Sequence, residues 1–309
     1  MFAWRYYFKR KNKFQTYKPV IVVTGCTSGI GAAAAKLLYA KDNYRVVVTG
    51  RAASISRLSD RFKETERFWV RPLDVTSDGD RRKLIDEILK KWGAIDILVN
   101  NAGISYRSVV EHMTAKDEFL QMDTNYFGPV ELIRLVLPSM RERGRGKIIN
   151  VSSVSGMLAM PTMASYSASK YALEGLSESL WYETKPFGID VCLIQPGFIH
   201  SNSFRNVYYS ELSKPDKART SDYRDYYTNM APFVARLMRM SFTRPESIAK
   251  LILKVIRTQN PPLWIPASLD AWVFFYLRRW VPRRLLMPLL FALLPGARRW
   301  GKRFTNRRD

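Results

Sequence analysis

The stretch Pro19–Ala40, PVIVVTGCTSGIGAAAAKLLYA, decides the fold. It begins with an apolar run, Val20–Val23, typical of a short buried strand, and ends in an alanine-rich segment with the composition of a helix. The glycines between them, Gly25, Gly29 and Gly31, allow a tight turn and a close approach of the main chain. The free N–H groups at the start of such a helix suit a pyrophosphate. This order of strand, turn and helix predicts an α/β fold that binds a nucleotide at its first turn.

The end of the second predicted strand, Arg45–Gly50, indicates which nucleotide is preferred. NAD-binding folds place a carboxylate at this position to hold the adenosine ribose, whereas this chain has Gly50 followed by Arg51. A missing carboxylate removes repulsion from a 2′-phosphate, and a guanidinium can bind that phosphate through charge-assisted hydrogen bonds. We therefore predict a preference for NADP(H). The alternative is that Arg51 is a surface arginine at the start of the next helix.

A second informative stretch is Ile148–Lys170, IINVSSVSGMLAMPTMASYSASK. Tyr166 and Lys170 are four residues apart, so on a helix they share one face. A lysine charge beside a phenol favours the phenolate and brings proton transfer closer to working pH. Ser153 follows a strand-like run, where its hydroxyl is placed to hold a substrate oxygen while Tyr166 moves the proton. The same Tyr-Lys spacing recurs in the basic N-terminal segment, so the spacing alone is not specific.

Further motifs accompany this pair in a fixed order. They are TGCTSGIG at Thr24–Gly31, NNAG at Asn100–Gly103, Asn125, NVSS at Asn150–Ser153, and Pro196–Gly197. In this set the chain resembles the short-chain dehydrogenase/reductase family, and in particular its hydroxysteroid and retinol dehydrogenase-like members. The resemblance covers residues 19 to about 265 and implies an α/β, Rossmann-like fold: a doubly wound, mostly parallel sheet of about seven strands.

The resemblance also implies roles for individual residues. Tyr166 would be the acid/base, Lys170 would lower its pKa and hold the ribose, and Ser153 would orient the carbonyl. Asn125 would bind a water that links Lys170 to solvent, although a residue that stabilises a helix kink is the alternative. The implied cofactor contacts are Gly25, Thr27, Ser28, Gly29, Ile30, Gly31, Arg51, Asp74, Val75, Asn101, Ala102, Gly103, Tyr166, Lys170, Pro196, Gly197, Ile199 and Ser201. The family usually has threonine at the last of these positions, and no metal site is expected.

The charge of the chain is concentrated at its ends. The net charge is +23, and residues 1–18 contain six basic and no acidic side chains, while residues 278–309 contain ten basic and one acidic. Aromatic rings alternate with the basic residues of the first segment, as at a membrane interface, and a disordered arm is the alternative. Because the catalytic region is only mildly basic, we expect an anionic membrane surface and no nucleic acid as partner.

The segment after the last predicted strand changes character. Two apolar runs, Trp272–Leu277 and Leu285–Leu294, are separated by arginines, and neither reaches the ~20 residues needed to cross a bilayer. We predict an amphipathic helical extension lying on a membrane, with an oligomer interface as the alternative. The predicted organisation is an N-terminal arm over 1–18, a catalytic domain over 19–266 and the extension over 267–309. The sequence leaves a homodimer or a homotetramer open.

Neither secretion nor a disulfide is indicated. The N-terminus lacks an apolar run of signal-peptide length, and Cys26 and Cys192 lie in a glycine-rich turn and an apolar strand. We therefore expect a reducing compartment and a peripheral position on the cytoplasmic side of a membrane.

The segment from about residue 200 to 243 is the predicted substrate lid. Its Tyr, Phe and Met residues suit a lipid-like or polycyclic substrate, although ordinary packing beneath the loop is the alternative. The favoured function is an NADP(H)-dependent oxidoreductase that interconverts a ketone or aldehyde and an alcohol on such a substrate. One rival is a soluble reductase of an anionic thioester-like substrate, attracted by Arg205, Lys214, Lys217, Arg219 and Arg224. The other is a nucleotide-binding scaffold or redox sensor without useful catalysis.

Overall fold

The computed structural model describes residues 17–200 and 207–300. Seven strands in these residues form one parallel sheet in the order β3-β2-β1-β4-β5-β6-β7. The strands are β1 (Val20–Val23), β2 (Arg45–Gly50), β3 (Phe68–Pro72), β4 (Ile97–Asn100), β5 (Gly146–Val151), β6 (Ile189–Gln195) and β7 (Trp264–Pro266). The predicted fold class is confirmed. The first two strands have the predicted bounds, Val20–Val23 and Arg45–Gly50.

Helices cover both faces of the sheet. The helices of the described residues are α1 (Gly29–Tyr39), α2 (Ser56–Ser59), α3 (Asp78–Trp92), α4 (Ala115–Met122), α5 (Gly128–Glu142), α6 (Ala164–Thr184), α7 (Pro215–Ala218), α8 (Arg224–Met240), α9 (Pro245–Arg257), α10 (Leu269–Trp280) and α11 (Arg283–Leu293). Leu38 of α1 and Ile252 of α9 belong to the core on one face. Leu84 of α3, Leu132 of α5 and Leu180 of α6 belong to the core on the other. The continuous apolar strands are explained by this double cover, because parallel strands are buried on both faces.

The strand order creates the site. The chain moves outward from β1 to β2 and β3 on one side and to β4, β5, β6 and β7 on the other. Doubly wound sheets bind ligands at this reversal, outside the carboxyl ends of the strands. Thr24 follows β1 and Asn101 follows β4, so the two predicted nucleotide motifs meet at the reversal.

Two helices, α10 and α11, follow β7 and confirm that the C-terminal extension is helical. Ser268 caps α10 by accepting a hydrogen bond from the Ala271 N–H, and Pro282 separates the two helices. Large apolar side chains stand out from both helices, among them Leu269 with 81% and Trp280 with 79% of its surface exposed. Within residues 17–200 and 207–300, no helix is both long and apolar enough to cross a membrane.

Several predictions fall outside the described residues. These are most of the N-terminal arm, Ser201 and Arg205 of the lid, and the last basic residues of the chain. The arm's final part is described: the Tyr17 hydroxyl donates to Asp96 at 2.6 Å, and the Arg145 guanidinium lies 4.7 Å from the Tyr17 ring centroid. Both cysteines are described, and both are buried free thiols that form no disulfide.

Candidate active site

The glycines of the first turn are required by close main-chain contacts. Gly25 has a φ of +69°, and a Cβ there would lie 2.6 Å from the Cα of Ala102. A Cβ on Gly31 would lie 2.2 Å from the Gly25 carbonyl oxygen. The Thr24 hydroxyl accepts hydrogen bonds from the N–H groups of Asn101 and Ala102, at 3.0 and 2.9 Å. These contacts join the ends of β1 and β4 and leave the N-terminus of α1 open to a phosphate.

Gly50, at the end of β2, is also required by a close packing contact. A Cβ on Gly50 would lie 2.4 Å from the Thr27 methyl group, so the missing carboxylate also allows the first turn to pack closely. Arg51 is exposed and lines the same cleft. Its guanidinium donates to the Tyr208 hydroxyl at 3.1 Å, which connects it to the lid. Arg51 thus lies beside the expected ribose position, and its guanidinium has further N–H donors that can bind a phosphate.

The Asp74 carboxylate is already used within its own turn. It accepts hydrogen bonds from the Thr76 N–H at 2.9 Å and from the Thr76 hydroxyl at 2.7 Å. The Val75 carbonyl accepts from the Arg81 guanidinium at 2.6 Å. Both residues line the cleft, and their turn is held rigidly at its wall.

Ser153 and Tyr166 meet at one end of the cleft. Ser153 precedes a single 3₁₀ turn, and its hydroxyl accepts from the Ser155 N–H at 3.1 Å. Burial raises the pKa of Tyr166 above its ordinary value, while a hydrogen bond with Ser153 and the positive charge of Arg107 act in the opposite direction. Ser153 and Tyr166 line the same cleft and are close enough to interact, as binding of one substrate oxygen by both hydroxyls would require.

Lys170 lies one helical turn after Tyr166 and is 5% exposed. Its ammonium donates to the Val151 carbonyl at 2.9 Å and lies 5.9 Å from the Tyr166 ring centroid. Burial lowers the pKa of Lys170 to about 8, and the charge of Glu174 opposes this shift. The positive charge of Arg107 also acts on the Tyr166 phenol, and the pKa-lowering role of Lys170 stays a prediction.

Asn125 connects the cofactor side of the cleft to α6. It lies in a π-helical turn, Asp123–Phe127, and is fully buried. Its amide accepts from the Ile104 N–H and donates to the Ile104 carbonyl, both at 2.9 Å, and it donates to the Ser169 hydroxyl at 3.0 Å. A π turn inside a helix is frequently a functional feature. Asn125 therefore holds the main chain beside Gly103, and the relay role stays a prediction.

The loop after β6 is held by the C-terminal extension. The Gly197 N–H donates to the Ser268 hydroxyl at 3.0 Å, and the Phe198 N–H donates to the Asp270 carboxylate at 2.6 Å. A Cβ on Gly197 would lie 2.0 Å from an Asp270 oxygen. The first residues of α10 thus hold the loop after β6, which lines the cleft.

A cleft of about 780 Å³ contains nearly all of the predicted site. The predicted residues in its lining are Gly25, Thr27, Ser28, Gly29, Ile30, Arg51, Asp74, Val75, Asn101, Ala102, Gly103, Ser153, Tyr166, Lys170, Pro196, Gly197 and Ile199. Gly31 and Asn125 are buried behind the wall. The lining fits a nicotinamide dinucleotide, because its glycine cradle and open helix N-terminus suit the pyrophosphate and Arg51 lies at the ribose end.

Sequence reasoning missed three contributors to this region. Glu174 is buried, accepts from Ser152 at 2.7 Å and from Gln195 at 2.9 Å, and has its pKa raised by burial. Glu174 could have been predicted from its position four residues after Lys170, because that spacing places both side chains on the same face of the helix. Asp270 was assigned to the extension, although a serine two positions before an aspartate indicates a helix start. Arg107 carried no signal, because its neighbours in space come from distant parts of the chain.

Comparison with known proteins agrees with this geometry. Residues 19–211 match the family described as short chain dehydrogenase. A 3-ketodihydrosphingosine reductase of Bacteroides thetaiotaomicron is 32% identical over 86% of this chain and 94% of its own length. Retinol dehydrogenase 8 of Bos taurus is 33% identical, with 79% of each chain covered. The crystal structure of a short-chain dehydrogenase from Streptomyces avermitilis superposes with a TM-score of 0.72 at 32% identity, over 87% of this chain and 96% of that one. The chain belongs to the short-chain dehydrogenase family.

Proposed function

We propose that this chain is an NADP(H)-dependent oxidoreductase that interconverts a ketone or aldehyde and an alcohol on a hydrophobic substrate. One observation carries the proposal: Ser153, Tyr166 and Lys170 line the same cleft as the glycine turn and Arg51. Acid/base groups and a dinucleotide cradle in one cavity are the requirements for hydride transfer coupled to proton transfer.

The bound cofactor would supply or accept the hydride. The residues of this chain do the remaining work. The Ser153 hydroxyl holds the carbonyl oxygen, and the Tyr166 hydroxyl donates its proton to that oxygen as the alcohol forms. In the reverse direction the Tyr166 phenolate takes the proton from the alcohol. Lys170 holds the ribose, and Asn125 keeps the wall beside Gly103 in place.

The lining of the lid supports a hydrophobic substrate. Tyr208 and Met238 line the reaction cleft, while Tyr209 and Met230 line a neighbouring pocket. Two of the relatives are named for 3-ketodihydrosphingosine and retinol, both of which are hydrophobic molecules. A lipid-like ketone or alcohol is therefore the substrate class that we propose.

Turnover of a substrate panel tests the function. Hydroxysteroids, retinoids, long-chain ketones and acyl thioesters are assayed with NADPH and NADP⁺, and we expect turnover in a lipid-like class, with little salt dependence of KM for its uncharged members. Turnover confined to acyl thioesters with a KM that rises with salt would favour the soluble reductase. Tight NADPH binding without any turnover would favour a scaffold.

Arg51→Ala tests the cofactor preference. We expect the Kd of NADPH to rise about tenfold to hundredfold and that of NADH to stay within about threefold, because only NADPH loses a charge-assisted contact. Titration calorimetry measures both constants. Tyr208→Phe is the matched control, since it removes the hydroxyl that Arg51 contacts but keeps the guanidinium. If Arg51→Ala leaves the ratio of the NADPH and NADH Kd values unchanged, Arg51 does not bind the 2′-phosphate and is a surface residue.

We also propose that the enzyme lies on the cytoplasmic face of a membrane. The exposed apolar surface of α10 and α11 supports this position: Leu285, Leu289 and Leu293 share one face of α11 and are 64, 53 and 67% exposed. Arginines at the start of α11 would meet anionic headgroups. From such a position, a poorly soluble substrate reaches the lid without crossing water. The competing proposal is an oligomer interface.

Liposome flotation tests the membrane position. The triple variant Leu285→Ser, Leu289→Ser, Leu293→Ser is expected to bind anionic vesicles at least tenfold more weakly, because burial of each leucine contributes about 1.5–3 kcal/mol. A control triple variant changes exposed apolar residues elsewhere, Val110, Phe119 and Tyr182, to serine. Truncation before Ser268 is unsuitable because it removes the support of the Gly197 loop. An oligomer that dissociates on the leucine changes, with no change in flotation, would establish an interface instead.

A further inference from the structure

A second cavity lies beside the reaction cleft. It has a volume of about 260 Å³ and is mainly apolar, with side chains contributed by α7 and α8. Three arginines, Arg107, Arg219 and Arg224, also line it. Among the described residues, its lining includes no Asp or Glu. Arg224 is paired with Asp225, whose carboxylate lies 3.9 Å from its Nε, so the positive charge of this mainly apolar pocket comes chiefly from Arg107 and Arg219 and favours an anion.

Arg107 connects the two cavities, since it lines both. Its main chain is fixed, because its N–H donates to the Tyr208 carbonyl at 2.9 Å. Arg107 is partly buried, with its Nε enclosed, and burial lowers the pKa of its guanidinium, while Tyr166 and Tyr209 oppose that shift. Arg219 and Arg224 are exposed. The pocket therefore has one positive charge at its inner end, beside the reacting groups, and two at its outer end.

We propose that this second cavity, the lid pocket, binds an anionic group of the substrate, a carboxylate or a phosphate, with Arg107 as its main contact. The inference rests on the proposed function and makes its substrate more specific. The substrate is then a hydrophobic carbonyl compound with an anionic headgroup near the carbonyl. With the headgroup on Arg107, the carbonyl lies at Tyr166.

The burial of Arg107 makes this contact selective. A guanidinium in a low-dielectric environment interacts strongly with an anion. Its parallel N–H groups match the spacing of carboxylate and phosphate oxygens. The same charge opposes a substrate amine, so a long-chain amino ketone is the substrate that this pocket disfavours. Surface arginines alone would give no such discrimination, because water and salt screen them.

Matched substrates test the proposal. The probes are 4-oxotetradecanoate, its methyl ester and 3-ketodihydrosphingosine, which present a carboxylate, a neutral ester and an amine. The wild-type enzyme should reduce the carboxylate with the highest kcat/KM. Arg107→Gln should lower kcat/KM for the carboxylate at least about tenfold more than for the ester, with the additional loss mostly in KM. Arg107→Lys should retain part of the preference, and Arg61→Gln, an exposed arginine outside both cavities, should behave as wild type.

The opposite kinetic results overturn the proposal. An equal loss for ester and carboxylate in Arg107→Gln, with a shifted pH profile, would mean that Arg107 acts through the Tyr166 phenol. A wild-type preference for the ester or the amine would equally exclude an anion-binding role.

A binding assay gives a result that does not depend on turnover. Dodecyl phosphate should raise the melting temperature of the wild-type protein at concentrations where inorganic phosphate has little effect, and Arg107→Gln should abolish most of that increase. This result with no turnover of any carbonyl would support the pocket and refute the proposed enzyme activity. Equal stabilisation by inorganic phosphate would refute the claim that the pocket binds the headgroup of a lipid-like molecule. Stabilisation that survives in Arg107→Gln would mean that the anion binds at the cofactor end of the cleft and not on Arg107.

Discussion

Tyr166→Phe is expected to lower kcat on the order of a thousandfold, whereas the Kd of NADPH should change by less than about threefold. The substitution removes one oxygen and keeps the ring, so the cleft and its packing are preserved. The loss is that of a general acid, which typically contributes a factor of about 10² to 10⁴. Steady-state kinetics and cofactor titration of the same preparation separate the two effects.

Tyr171→Phe is the matched control for this prediction. Tyr171 is on the same helix, but its hydroxyl donates to the Met157 carbonyl at 2.5 Å and does not line the cleft. We expect Tyr171→Phe to retain turnover within a few-fold of wild type. Undiminished reduction of every substrate by Tyr166→Phe would show that another group supplies the proton.

The pH profile of Ser153→Ala gives further information on the same acid. The hydrogen bond with Ser153 acts to lower the pKa of Tyr166, so its removal should raise that pKa. A higher pKa keeps the phenol protonated to higher pH. The alkaline loss of reduction should therefore move upward, and the rise of alcohol oxidation with pH should move in the same direction.

Local sequence was sufficient for the fold because each element carried its own signal. The apolar run Val20–Val23 is followed directly by its glycine turn and helix, and the same alternation recurs to the end of the sheet. The cofactor wall was predictable for a related reason, since residues that follow parallel strands meet at one edge of the sheet. Tyr166, Lys170 and Ser153 were found together because one stretch contains them all.

Contacts between distant segments were not predictable from local patterns. Gly50 was interpreted only as a missing carboxylate, whereas its closeness to Thr27 is a tertiary contact. Arg107 follows β4 in sequence, yet it faces a pocket built by a lid more than a hundred residues later. Periodicity and turn signals describe neighbours along the chain. The local sequence of a loop therefore does not predict which side chains of a distant loop it contacts.

The contact between Gly197 and Asp270 leads to the second large expected effect. In Gly197→Ala, the new methyl group would occupy the position of the Asp270 carboxylate, 2.0 Å from one of its oxygens. The clash is relieved only if Asp270 turns away, which breaks its bond with the Phe198 N–H. The loss of a hydrogen bond to a charged group costs about 1.5–3 kcal/mol. We expect Gly197→Ala to lower the free energy of unfolding by about 2–3 kcal/mol, and to weaken NADPH binding by about tenfold or more because the loop lines the cleft.

A double-mutant cycle shows whether the start of α10 holds this loop. Asp270→Ala removes the same hydrogen bond and also removes the obstacle, so the alanine at position 197 then fits without a clash. The double variant Gly197→Ala, Asp270→Ala should therefore have nearly the stability and NADPH affinity of Asp270→Ala alone, far from the sum of the two single effects. Denaturant unfolding and cofactor titration measure both quantities. If the single effects simply add, the two residues act independently, and α10 does not support the cofactor loop through this contact.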